Sequence, residues 1–258
     1  MKTFIDNFKK YRFLLLELIK KEIKLKYRSS VLGVLWTLIE PLLTMLVLTF
    51  VFGNLLGKGT ESFPVYILCG RLIYSFFSNS TKQALKSIRK HGGMIRKVYV
   101  PKYMYPLAAT VSGYITFLIS LVVLVGVAAF QKVKPTVHLL QAFFPLLIVL
   151  VLSVGVGLLL STVAVFFRDL EYLWSVILML IMYTCAIFYK VESISSPSNE
   201  WIFKINPLYS IIVNFRNAIF GHPMDMYHLY YSLIFSVVVF VAGALVFWRK
   251  QDRFILYI

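Results

Sequence analysis

Two long apolar runs flank a short charged island. "LLQAFFPLLIVLVLSVGVGLLLSTVA" comes before, and "SVILMLIMYTCAIFY" after, the segment "VFFRDLEYLW" (165–174), which carries Arg168, Asp169 and Glu171. Apolar runs of about 18 residues or more with few charges are the mark of helices that cross a bilayer. A charge at the bilayer centre costs at least about 2.5–3.5 kcal/mol, so the island reads as an aqueous turn between two spans. Composition agrees: the chain is 59% hydrophobic and 15% charged, with a mean hydropathy of +0.79, against roughly 45–50% apolar residues in soluble domains.

The same reasoning places six spans, at 31–56, 63–85, 104–130, 139–167, 172–189 and 229–248. The net charge of +16 would suggest nucleic acid on a soluble protein. Here it sets topology, because Lys and Arg collect on cytoplasmic segments. The segments assigned to the inside carry nine (1–30), seven (82–106), one (Arg168) and three (249–258) basic residues, twenty in all; those outside carry six. Both termini are therefore expected in the cytoplasm, "VFFRDLEYLW" faces it too, and no nucleic-acid partner is implied.

Residues 1–30 are too charged to span. Phe4, Phe8, Tyr11, Leu15, Leu18 and Ile19 recur at helical spacing, with Lys9, Lys10, Lys20, Lys21 and Lys24 mostly off that stripe. This predicts an amphipathic helix lying in the membrane interface, with packing on a neighbouring helix as the plainer alternative.

Two other segments stand out. In 86–103, Arg89, Lys90, Arg96 and Lys97 flank Gly92-Gly93, read as a helix break, and Pro101 precedes a new start. The segment either satisfies topology or docks a soluble partner. The outer segment 190–228 contains "WIFKINPLYSIIVNFRNAIF", with apolar stretches broken at Asn206-Pro207 and by Asn214, Arg216 and Asn217. Stretches that short suit two re-entrant helices dipping into the outer leaflet better than a full crossing.

Enzymatic and metal chemistry find no support. "GNLLGKGT" (53–60) misses the phosphate-binding loop pattern in spacing and in its last position. His91, His138, His222 and His228 are scattered without metal-ligand spacing. Cys69 and Cys185 sit in apolar context and read as inert thiols. No catalytic residue, metal ligand or cofactor is expected in this chain.

"KYRSSVLGVLWTLIEPLL" (26–43), "FVFGNLLG" (50–57), "IRKVYVPKYMYPLA" (95–108), "VAVFFRDLEYL" (163–173) and "INPLYSII" (205–212) occur in the order seen in ABC-2 type polysaccharide export permeases. The chain resembles that family, which includes the O-antigen and wall teichoic acid export permeases, over nearly its whole length. The resemblance implies an all-α integral membrane protein of the ABC-2 exporter fold. Its parts are an N-terminal interface helix (1–30), a six-helix transmembrane domain (31–258), a coupling-helix loop (86–103) and the outer re-entrant segment (190–228). It further implies a homodimer in the bacterial cytoplasmic membrane, two copies of an ATPase subunit carrying ATP and Mg, and a polyprenyl-diphosphate-linked glycan as substrate. Around the ATPase contact it places Arg89, Met94, Ile95, Arg96 and Lys97, together with Arg168 and Asp169, which either brace their turn or touch the partner. One departure concerns span five: the family often has Pro ahead of its end, where this chain reads "TCAIFY" with Ala186.

Glu40 and Arg71 are the other departure, charges at positions where the family is often apolar. At 1.5 Å per residue, Glu40 lies about 13 Å in from one face and Arg71 about 12 Å from the other. In a core about 30 Å thick, long side chains can close the difference. Either they form an intramembrane pair or each solvates separately. A sugar chain crossing the bilayer stacks well on aromatic rings, and the chain holds 22 Phe, 16 Tyr and 4 Trp. Candidates for lining a path are Tyr66, Tyr74, Phe76, Phe77, Tyr183 and Tyr189, against the plainer role of helix packing. Ser153, Gly157 and Ser161 form a ladder of small residues for close helix contact. An exporter of drugs or small lipids in the same family is the nearest alternative; an enzyme acting on polyprenyl lipids or an ion-coupled carrier lacks the acidic clusters and inverted repeat it would need.

Overall fold

The structure is a computed structural model that describes residues 2–28, 30–56, 62–97, 100–191 and 200–257; the side chains of 2–10 and 54–56 lie outside that description. Among the described residues all regular structure is helical. The helices are α1 (Lys2–Tyr27), α2 (Trp36–Leu56), α3 (Phe63–Lys90), α4 (Gly92–Ile95), α5 (Met104–Phe130), α6 (Phe143–Phe166), α7 (Leu170–Thr184), α8 (Trp201–Lys204), α9 (Pro207–Phe220) and α10 (Met226–Lys250).

Among the described residues four segments are long and apolar enough to cross a membrane: Gly33–Gly53, Met104–Phe130, Val137–Phe166 and Met226–Leu256. They correspond to expected spans one, three, four and six. The other two differ. Helix α3 is long enough but carries too many polar groups to qualify on composition, and it runs unbroken to Lys90 instead of stopping near 85. Helix α7 is apolar but ends at Thr184, five residues short of the expected 189. Beyond it, Ala186 takes φ +47°, a left-handed turn reached without the family's proline.

The main core forms where α3, α5, α6, α7 and α9 meet, with Leu68, Ile73, Leu85, Leu124, Leu152, Leu178 and Phe215 all at most 2% exposed. Helices α6 and α10 cross backbone to backbone: a Cβ on Gly155 would stand 2.6 Å from Phe240 Cα and 2.7 Å from its nitrogen. The ladder on the other face of α6 packs inside the same chain, since Gly157 lies against Ala84 of α3 and Thr110 of α5, and Ser153 and Ser161 are fully buried.

A second core gathers α1, the end of α3, α4, the start of α5 and the C-terminal end of α10. Leu15, Leu18 and Ile19 of α1 pack with Ile88, Ile95, Met104, Tyr105, Phe247 and Phe254. This part of the amphipathic stripe is covered by protein, while Phe13 and Leu16 remain exposed on a neighbouring edge. The Phe4 and Phe8 end of the stripe lies outside the described side chains.

Asn206-Pro207 lies at the break between α8 and α9 and starts α9. The Asn206 side chain accepts from Leu208 N–H at 3.0 Å, and Pro207 takes the first turn, where a missing N–H costs nothing. Gly221 closes α9 in the left-handed region, φ +78°, as helix C-termini commonly do. Between the termini α9 is largely buried. Among the described residues α8 and α9 are the helices that fall wholly within 190–228; residues 192–199 lie outside the described chain.

Candidate functional site: a polar groove along α3

Between Cys69 and Thr81 the exposed and half-exposed residues of α3 lie on one narrow strip, which continues to Gln83. Arg71, Ser75, Asn79 and Gln83 recur every four residues, so they stack on one helix face, and all four remain partly open while Leu72, Ile73, Tyr74, Phe76, Phe77 and Ser78 are buried. This strip forms the floor of a groove of about 230 Å³, walled by α2, by α5 and by the end of α1. Thr37, Glu40 and Thr44 of α2, Thr116 and Ser120 of α5, and Lys26 and Tyr27 of α1 complete its lining. From Arg71 to Gln83 the strip runs about 18 Å at 1.5 Å per residue.

One wall of the groove depends on a proline. Pro41 lies inside α2 and has no N–H to give the carbonyl four residues back. That carbonyl belongs to Thr37, and Ser120 of α5 supplies the missing donor at 2.9 Å. The exchange fixes α2 against α5. By contrast, the side chains of Ser75, Asn79 and Gln83 make no hydrogen bond to any described residue. Their amides and hydroxyl face the groove with hydrogen-bonding capacity to spare.

Glu40 and Arg71 line this same groove from opposite helices, but no ion pair joins them. Arg71 instead lies 6.0 Å from the Tyr74 ring centroid.

Most of the aromatic candidates have structural partners. Tyr74 donates its hydroxyl to the Leu178 carbonyl of α7 at 2.8 Å. Phe77 packs on Trp174, and Phe76 stacks on Phe117. These three are at most 7% exposed, so Tyr74 and Phe77 belong to the core and not to an open path; Phe76 alone shows an edge to the groove. They were drawn inward because α3 turns its aromatic face to α5 and α7. Tyr66 donates to the Tyr189 carbonyl at 2.9 Å, and Tyr189 donates to the Tyr183 carbonyl. Tyr183 itself is 56% exposed.

Arg216 explains why those tyrosines cluster. It is 6% exposed and donates to the carbonyls of Tyr66, Ala186 and Ile187 at 3.1–3.3 Å. Its guanidinium lies 3.5 Å from the Tyr66 ring centroid, a cation–π contact that a desolvated setting strengthens. Gly70 makes room: a Cβ there would sit 2.9 Å from Arg216 Nη2.

Of the residues assigned to the ATPase contact, Arg89 lies in the last turn of α3 and Met94–Lys97 lie in and just after α4. The helix break falls at His91, one residue ahead of Gly92-Gly93, and both glycines lie within α4. Ile95 is buried in the second core, while Met94, Arg96 and Lys97 are exposed. Arg168 and Asp169 are also exposed, and neither side chain braces the α6–α7 turn. Glu171, two residues on, does the bracing: its carboxylate pairs with Lys86 and lies 4.0 Å from Arg89. On the opposite side Glu22 of α1 accepts from Lys90 at 2.8 and 3.0 Å. Neither carboxylate's pairing was legible in the sequence, because each lies more than 65 residues from its partner in the chain. The α3 strip had a signal, its spacing of four, which the aromatic content of the same helix overshadowed. Among the described residues no cluster of His, Cys, Asp and Glu is suited to a metal ion.

Comparison with known proteins now bears on the groove. A family model described as ABC-2 type transporter matches residues 14–220. The chain belongs to the ABC-2 type transporter family. The match takes in α2, α3, α5, α6, α7 and α9, and so includes every wall of the groove. Similar proteins span the ABC-2 chain almost end to end. The O-antigen export system permease protein RfbA of Myxococcus xanthus is 27% identical, covering 95% of both chains. The polysialic acid transport protein KpsM of Escherichia coli is 23% identical over 90% of this chain and 91% of its own. The capsule polysaccharide export inner-membrane protein CtrC of Neisseria meningitidis is 24% identical over 90% and 89%.

Proposed function

We propose that this chain is the membrane-embedded permease subunit of an ATP-driven exporter of a cell-surface polysaccharide. The carrying observation is the strip Arg71–Ser75–Asn79–Gln83, a row of partly open polar groups along a long helix, of which Ser75, Asn79 and Gln83 bond no described residue. Polar groups are costly where lipid gives them no partner, and a membrane protein that keeps a row of them open to a groove has a hydrophilic solute to accommodate. The relatives named as O-antigen and capsule polysaccharide export proteins support a glycan as that solute.

In this reading α3 and α7 join the four apolar spans to make six crossings, both termini lie in the cytoplasm, and α8 and α9 dip into the outer leaflet. The surfaces of α2 and α7 are mostly exposed apolar side chains, which suits contact with lipid and with a second copy in a homodimer. Two ATPase subunits, bearing ATP and Mg, press on α4 through Met94, Arg96 and Lys97, with Arg89, Ile95, Arg168 and Asp169 around the contact. The solute is a glycan on a polyprenyl-diphosphate carrier.

The test is genetic and biochemical together. Deleting the gene should abolish one surface polysaccharide and leave its lipid-linked precursor inside the cell, and the affinity-tagged chain should co-purify with an ATPase in equal copy number. Normal surface polysaccharide in the deletion strain, or purification of the chain alone, refutes the assignment.

A further inference from the structure

The last turn of α3 is gripped from two sides. Four cationic or ionisable groups crowd it, Lys86, Arg89, Lys90 and His91, and two carboxylates from distant parts of the chain meet them. Glu22 of α1 binds Lys90 and lies 3.5 Å from His91 Nε2, with the Glu22 and His91 side chains only 12% and 10% exposed. Glu171 at the start of α7 binds Lys86 and approaches Arg89, in a more exposed setting.

His91 ties this grip to α4. Its Nδ1 donates to the Ser87 carbonyl at 2.9 Å, and its ring stacks on the buried Tyr105 of α5 with centroids 4.8 Å apart. Its own carbonyl accepts the N–H groups of Met94 and Ile95, each at 3.0 Å. Below it Ile95 packs into the core that holds Leu15, Leu18 and Ile19 of α1. A rigid joint therefore links α4 to α1 through a partly buried charge contact and an apolar one, and to α7 through a surface pair.

We propose that Glu22 and Glu171 are positioning residues for transport: they make the end of α3 move α1 and α7 as one body when α4 is pushed. Surface pairs are worth little, so the Glu22 arm carries more of the load than the Glu171 arm. The proposal rests on the permease reading above, since it supposes that an ATPase acts on α4.

The experiment uses the full complex in proteoliposomes, measuring ATP hydrolysis and polysaccharide translocation side by side for wild type, Glu22→Gln, Glu171→Gln and the exchange Glu22→Lys with Lys90→Glu. Expected are wild-type assembly and ATP hydrolysis in Glu22→Gln, a fall of about fivefold or more in translocation per ATP, as a site-to-site coupling of ordinary size gives, a smaller fall in Glu171→Gln, and recovery in the exchange variant. Wild-type translocation per ATP in Glu22→Gln, no recovery in the exchange variant, or a loss that merely follows the amount of assembled complex overturns the proposal. A second readout does not depend on transport. Spin labels at Lys21→Cys and Lys82→Cys, both exposed positions, should keep one narrow distance with and without trapped nucleotide, and Glu22→Gln should broaden it; an unchanged distribution in Glu22→Gln sinks the joint. The native Cys69 and Cys185 are fully buried and leave the labels to the introduced sites. Should the wild-type complex translocate nothing in an ATP-dependent way, the permease reading fails, and the label distances still report whether α1 and α3 are locked.

Discussion

Arg216 donates from Nη2 to the carbonyl of Ala186 at 3.1 Å, and Ala186 holds a left-handed backbone, φ +47°. A non-glycine residue there is strained by about 1 kcal/mol or more, and persists only when its surroundings over-determine it. The guanidinium does so by collecting the Ala186 and Ile187 carbonyls and fastening them to Tyr66 of α3.

Arg216→Met should therefore destabilise the protein by about 3 kcal/mol or more, since it strands several buried carbonyls at once. Arg216→Lys should recover only part of this, because an ammonium cannot spread planar donors over three acceptors. Thermal unfolding of the detergent-purified chain measures both. Ala186→Gly should stabilise or be neutral, as glycine takes that φ without penalty.

The closest approach of two membrane helices supplies a second prediction. Gly155→Ala sets a methyl group against the Phe240 backbone, which cannot rotate away as a side chain can. Helices α6 and α10 must separate, at a cost of about 1–3 kcal/mol typical of overpacking. Gly155→Val should prevent accumulation of folded protein. The analogous change Gly126→Ala, with open space around its Cβ, should leave the melting temperature unchanged within error.

Tyr74→Phe separates packing from path lining. The hydroxyl bonds the Leu178 carbonyl within the core, so its loss should cost about 1 kcal/mol while polysaccharide export per folded molecule stays at the wild-type level. A strong export defect at unchanged stability would return Tyr74 to the solute path.

What could be read from the residues alone follows from the range of the forces involved. Helix α5 spans Met104–Phe130, the bounds expected from apolar content, because hydrocarbon selects on composition over about 20 residues and needs no distant partner. The extension of α3 to Lys90 was hidden: its last turns are charged, and they stay helical because Ile88 is buried under α1 and Glu22 and Glu171 neutralise the outer side. The turn at Ala186 was equally hidden, since no local residue favours it and the stabilising arginine lies 30 residues away. Glu40 and Arg71 line one groove from α2 and α3 without an ion pair, since depth along two helices does not set rotation about either helix axis.

Asn79 offers the sharpest test of the groove. It is the most open member of the strip, it bonds no described residue, and it lies between Arg71 and Gln83, one helical turn from Gln83. Asn79→Leu removes an amide that nothing in the protein uses, so the change in stability should stay within about 0.5 kcal/mol, as for surface positions generally. If a hydrated glycan slides past this point, an apolar isostere takes away a hydrogen-bonding step and narrows nothing, so export should slow severalfold while the ATPase remains bound. Asn79→Gln, which keeps the amide, should export at close to the wild-type rate. Surface polysaccharide measured over time after induction compares the three, and equal rates for Leu and Asn would move the solute path away from α3.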